Sequence, residues 1–160
     1  MTKFHVELEV GARVNGPKFA MTRERMRWYC DALETAAAGT GEFIIAEPTI
    51  HTDDEYARSQ GLPGIIADGM LSTNYISALL FQHFGMGYLE RGALRTKFIR
   101  PVYENEVVEP YFEVRAIHPE VDRECVTLDV GCTANGELCT VGEAEVFVDS
   151  RMIREEAGAR

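Results

Sequence analysis

The sequence predicts an α+β domain in which an antiparallel sheet curves around one long buried helix. Three observations predict it. Residues 68–84, DGMLSTNYISALLFQHF, contain no proline and spread Leu71, Tyr75, Ile76, Ala78, Leu79, Leu80, Phe81 and Phe84 over more than one helical face. A helix apolar over most of its circumference needs protein on most sides. An alternating stretch, KFHVELEV, stands at 3–10, and four strand candidates follow one another from Leu94 onward with no helical period between them. Strands grouped in this way favour α+β over a parallel α/β sheet.

In chain order, the first strand places Phe4, Val6 and Leu8 on one face, and Gly11 to Pro17 reads as a turn-rich connection. Thr22 is a cap for a helix running to Leu33, with Met26, Trp28, Tyr29 and Leu33 as its apolar face. Ala36 to Gly41 reads as a loop, and FIIA at 43–46 as a short strand or an extended lead-in. Thr52 and Glu55 have capping-box spacing, opening a short helix to about Ser59 that Gly61 stops. His51 then stands just before a helix N-terminus. Asp68 is the expected N-cap of the central helix, which at roughly 25 Å stops at Gly85, with Gly87 to Gly92 as a loop.

The strand candidates are Leu94–Arg100, Val107–Ile117, Glu124–Thr133 and Leu138–Val148. Val108, Phe112 and Val114 share one face, as do Val126, Leu128, Val130 and Cys132. Asn135–Gly136 is a hairpin signal, and Pro119 to Asp122 turns the preceding pair. Residues after Ser150 form an Arg- and Glu-rich tail. The whole reads as one domain over residues 1–160, with 150–160 loose.

Composition narrows the function classes. A net charge of −10 argues against non-specific binding to nucleic acid or an anionic membrane. No signal-peptide or transmembrane segment is evident, which predicts a cytoplasmic protein. Cys30, Cys125, Cys132 and Cys139 lack zinc-ligand spacing and read as small buried hydrophobes, so no metal is expected. No Walker or Rossmann glycine pattern is present.

Two stretches, PTIHTDDEYARSQGLPGIIADGML and TKFIRPVYENEVVEPYFEV, carry a resemblance to the MaoC-type hot-dog proteins, which include the R-specific enoyl-CoA hydratases. With the order of elements, the resemblance spans residues 4–149. It implies a hot-dog fold, usually dimeric, and acyl thioesters of coenzyme A or a carrier protein as substrates. Such hydratases add water to a trans-2-enoyl thioester or catalyse the reverse dehydration. A carboxylate and a histidine handle the water, and a backbone N–H at the start of the central helix steadies the enolate. No cofactor is implied beyond the coenzyme A of the substrate.

The chemistry suits the residues. Attack at the β-carbon places negative charge on the thioester oxygen, which needs a fixed donor. Gly69 N–H qualifies because the first N–H groups of a helix lack intrahelical partners; the alternative is a glycine that merely tightens the helix start. His51 suits acid–base work near neutral pH, the alternative being a local hydrogen bond. His5, His83 and His118 read as structural or exposed. The family's aspartate, five residues before the histidine, is replaced by Ala46, leaving Glu47 as either the substitute carboxylate, with the loop shifted by one residue, or a solvated loop carboxylate, and Asp68 as either a plain cap or a second one. Asp53 and Asp54 favour the helix dipole. Ser72 and Asn74 contact substrate or bond to neighbouring elements. Lys97 and Arg100, with Arg95, suit either a coenzyme A phosphate or a solvated strand face. A hot-dog thioesterase and a non-catalytic subunit of a heteromeric hydratase are the alternative functions. Open sheet edges predict a homodimer or larger homo-oligomer.

Overall fold

The computed structural model describes residues 9–149. The strand expected at 3–10 falls almost wholly outside the described residues, as does the tail after Asp149. Two short strands, β1 (Arg13–Asn15) and β2 (Phe19–Ala20), lead into helix α1 (Arg23–Ala38). Then come α2 (Asp54–Ser59), α3 (Gly69–Phe84), α4 (Met86–Leu89), β3 (Ala93–Phe98), β4 (Val107–Glu120), β5 (Arg123–Ala134) and β6 (Glu137–Asp149).

Among the described residues six strands form one antiparallel sheet in the order β1-β4-β5-β6-β3, with β2 also on β4. Its centre is the meander β4–β5–β6. Asn135 and Gly136 both take positive φ, 51° and 88°, as the two-residue hairpin turn that matches strand twist requires. Inward alternation buries Val108, Phe112 and Val114 of β4 against Val126, Leu128 and Val130 of β5 and the residues of α3. The α3 helix lies across β3 to β6 and buries Leu71, Ser72, Ile76, Leu79 and Leu80. Met70 and Phe81 remain about half exposed, at 45% and 48%. The curved sheet thus packs along the buried face of this helix, as its composition predicts.

Several boundaries differ from expectation. The α1 helix continues through Ala36–Ala38, alanine being the strongest helix former, and stops where Gly39 turns left-handed at φ 64°. The connection expected at 11–17 holds β1, whose partner β4 lies almost a hundred residues away and leaves no local signal. The predicted loop 87–92 begins as α4. Asp53, not Thr52, caps α2, accepting from Tyr56 N–H at 2.7 Å. Thr52 is occupied elsewhere: its hydroxyl donates to Glu47 O at 3.0 Å and accepts from Thr49 N–H at 2.9 Å.

A β-bulge shapes the far end of the sheet. The β5–β6 register slips between Cys132 and Thr133, leaving Cys139 unpaired in the ladder. Its carbonyl instead accepts from Ile99 N–H at 2.9 Å and Arg100 N–H at 3.3 Å. The bulge thereby ends β3 and directs residues 98–102 toward the start of α3.

Candidate active site

Segment 44–53 forms a knot of short-range bonds. His51 N–H donates to Thr49 Oγ1 at 3.1 Å, and Thr49 O accepts from both Thr52 and Asp53 N–H. Ile66 N–H donates to Ile50 O at 3.0 Å, and the His51 ring returns the connection, with Nδ1 2.9 Å from Ile66 O. A carbonyl only accepts, so the geometry assigns the proton to Nδ1 and leaves Nε2 as the free base of the neutral ring.

Nε2 points toward the start of α3, 4.0 Å from Asp68 Oδ2, with both side chains 25% exposed. Asp68 does two things at once. Its Oδ1 caps the helix, accepting from Met70 N–H at 2.8 Å, while Oδ2 faces the histidine. Its charge also reaches α1, where burial raises the Tyr29 phenol and the Cys30 thiol and Asp68 adds to both shifts. Leu71 N–H is taken by Asp68 O, and no described residue accepts from Gly69 N–H. A Cβ at Gly69 would stand 2.7 Å from the Phe98 ring. A side chain at this position would therefore have to displace the Phe98 ring.

His51, Asp68, Gly69 and Ser72 line one cavity of about 460 Å³, with Phe98 and Thr140 also in its wall. Its volume falls in the range of small-molecule sites. Arg100 reaches this cavity, but its guanidinium is engaged. It donates to both oxygens of Glu106, at 3.2 and 3.0 Å, to Pro101 O and to Ala134 O. Those bonds to Glu106 hold its pKa above the usual guanidinium value. Arg100 is thus a clamp between strand ends.

Three expected residues stand outside the cavity wall. Glu47 is exposed and contributes its carbonyl to the Thr52 bond. Asn74 is exposed and donates to Tyr29 OH at 3.2 Å, joining α3 to α1. Lys97 lies exposed on β3. Phe98 and Thr140 carry no local sequence signal for the site, because both reach it through long-range strand pairing.

A second, more open cleft of about 560 Å³ lies along α1, lined by Arg25, Trp28, Tyr29 and Leu71 among others. No histidine lines it. Among the described residues no three His, Cys, Asp or Glu side chains gather as metal ligands, and no helix is long and apolar enough to cross a membrane.

Comparison with known proteins places this geometry. The family model for the MaoC like domain matches residues 48–135, from just before His51 through the Asn135 turn. An (R)-specific enoyl-CoA hydratase of Rhodospirillum rubrum is 33% identical over 104 residues, 63% of this chain and 69% of that protein. The unliganded R-hydratase of Pseudomonas aeruginosa superposes with a TM-score of 0.61 at 25% identity, covering 89% of this chain and 83% of that one. The MaoC-like dehydratase of Rhodospirillum rubrum gives a TM-score of 0.67 over 89% of this chain and 94% of that one. At 21% identity, that last match speaks for the hot-dog fold alone. The histidine, the helix-start glycine and strands β3 to β5 thus sit within a matched segment covering more than half the chain, and the protein belongs to the MaoC-like family of hydratases and dehydratases.

Proposed function

We propose that the cavity hydrates a 2-enoyl thioester, or dehydrates the corresponding 3-hydroxyacyl thioester, with coenzyme A as the carrier. One observation carries the reading: His51 Nε2, the second oxygen of Asp68 and the unpartnered Gly69 N–H converge on one cavity. The 4.0 Å between Nε2 and Oδ2 suits one water donating a hydrogen bond to each.

The reaction follows from those positions. His51 Nε2 takes a proton from the water as its oxygen bonds to the β-carbon. The C=C electron pair moves toward the thioester, and negative charge collects on the oxygen facing Gly69 N–H at the positive end of α3. The imidazolium then returns its proton to the α-carbon. Asp68 orients the water and stabilises the imidazolium, taking the place that Ala46 leaves empty and that Glu47 was expected to fill. Lys97, exposed beside Phe98, offers a charge to the coenzyme A phosphates. Ser72 offers a hydroxyl inside the cavity.

A homodimer supports the same site. Among the described residues strand β3 has a partner on one side only, and Met70, Phe81, Phe98 and Ile99 are each about half exposed on the same chain. Apolar exposure of this kind beside an open edge favours a second copy as cover.

The test is an absorbance assay with crotonyl-CoA and longer trans-2-enoyl-CoAs beside a thiol-release assay. Loss of enoyl absorbance without free thiol, abolished in His51→Ala with the fold intact, is the expected result. Thiol release would replace the reading with a thioesterase. Silence in both assays, relieved by a second subunit, would make the chain a non-catalytic partner.

A further inference from the structure

Residues 44–46 lead along the chain toward His51 without belonging to any strand, so their backbone groups must find partners elsewhere. They find them on α1. Ala46 N–H donates to Asp31 Oδ1 at 2.7 Å, and Ala46 O accepts from Arg27 Nη2 at 3.3 Å. Ile44 N–H donates to Thr35 Oγ1 at 2.9 Å, and that hydroxyl donates to Ile44 O at 3.4 Å. Arg27, Asp31 and Thr35 are spaced by four and share one helix face. That face substitutes for a neighbouring strand.

Asp31 is costly where it stands. It is a carboxylate only 4% exposed, and aspartate inside a helix is a poor helix former. Its pairing with Arg27 Nε, at 3.3 Å, runs with the basic residue N-terminal, the less favourable order along a helix. The pair therefore does little for α1 itself. Its strongest bond, short and buried, goes to the Ala46 peptide. One residue later Glu47 O receives Thr52 Oγ1, and the bonds through Thr49 continue to His51.

We propose that Asp31 is a positioning residue for His51, acting through Ala46 and the 47–52 turn to hold the imidazole on Ile66 O. Its kinetic consequence rests on the hydratase reading above; its structural consequence does not. Without the anchor at Ala46, the turn gains freedom and the ring leaves its single orientation. Displacement of a catalytic group by about 1 Å costs on the order of a hundredfold in rate.

The test pairs kinetics with long-range ¹H–¹⁵N spectra of the histidine rings, the His51 signals being assigned by their absence in His51→Gln. In the native protein His51 shows the Nδ1–H tautomer. In Asp31→Ala the signals move toward a tautomer mixture, and kcat falls roughly ten- to hundredfold with little change in KM. Asp31→Asn, which keeps an acceptor for Ala46 N–H, restores the tautomer and most of kcat. Thr35→Val, a milder change, shifts the same signals in the same direction and applies if Asp31→Ala does not fold. A native His51 spectrum in Asp31→Ala or in Thr35→Val, with only a lower melting temperature, would overturn the proposal. If the native protein hydrates no enoyl thioester, the hydratase reading falls by itself and the His51 spectra still decide this one.

Discussion

His51 and Asp68 stand 4.0 Å apart across the cavity, and each is held by its other polar atom, Nδ1 on Ile66 O and Oδ1 on Met70 N–H. Neither group is free to close the gap. The separation is set by the backbone at both ends, the arrangement a preorganised water site needs. Asp68 therefore carries two roles that substitution can separate.

Asp68→Asn keeps a cap acceptor for Met70 N–H and removes the charge facing His51. Thermal stability should change little, while hydration falls at least about a hundredfold, the usual scale of acid–base assistance. Asp68→Ala should show the same loss of rate and a further cost of about 1 kcal/mol from the missing cap. Melting curves and steady-state kinetics on both variants check this. An Asp68→Asn protein with native kcat would reduce Asp68 to a cap.

Gly69→Ala pushes a methyl group into the Phe98 ring. Overpacking of this kind costs about 1–3 kcal/mol. Because Phe98 is half exposed, removing the ring should relieve the strain. The double variant Gly69→Ala/Phe98→Ala is expected to recover stability relative to Gly69→Ala, read from urea midpoints. Failure of that rescue would mean the glycine is required for another reason.

Acid stability has an identifiable contributor. Asp54 accepts from Ile65 N–H at 3.1 Å and pairs with Arg23 at 2.8 Å. The backbone bond first, and Arg23 second, hold its pKa below the ordinary aspartate value. The folded state then binds this proton less readily than the unfolded chain. The resulting stability is present above the unfolded value of about 4 and is lost as pH falls through the lower folded value. Asp54→Asn should flatten the acid limb of a stability–pH profile below about pH 4 and leave its slope at neutral pH unchanged.

The four thiols are all free, and burial raises each of them, Cys132 to about 12. At about pH 8, roughly one Cys132 in ten thousand is then thiolate. A thiol reagent should label Cys125 first, since the other three are buried, and all four should react only in denaturant. Rapid native labelling of Cys132, seen by peptide mass, would contradict the packing described.

These relationships differ in how far the sequence announces them. Period-two burial in β4 and β5 and the Asn135–Gly136 turn are local properties, and the sheet follows from them. The apolar wrap of α3, the Asp68 cap and the glycine after it are local too, and they locate half of the site. Thr52 and Asp53 compete for one cap position, and the bonds of the Thr52 hydroxyl to Glu47 O and Thr49 N–H decide between them. The ring of Phe98 on Gly69, the hydroxyl of Thr140 and the bond from Asp31 to Ala46 join residues 15 or more positions apart. No periodicity or spacing encodes such pairs. Glu47, Asn74 and Lys97 had the right chemistry for the site, but local bonds and strand alternation turn them away from the cavity wall.

The meander β4–β5–β6 also has a kinetic consequence. Its turns are short and its strands adjacent in sequence, so closing them costs little chain entropy. The cavity also needs the start of α3 to meet the end of β3, Gly69 against Phe98, and that meeting closes a longer loop than either meander turn. Contacts of that separation form late. On dilution from denaturant, the sheet signal should therefore return before the chain regains its catalytic competence. During that interval the protein would have its β structure but not yet its function.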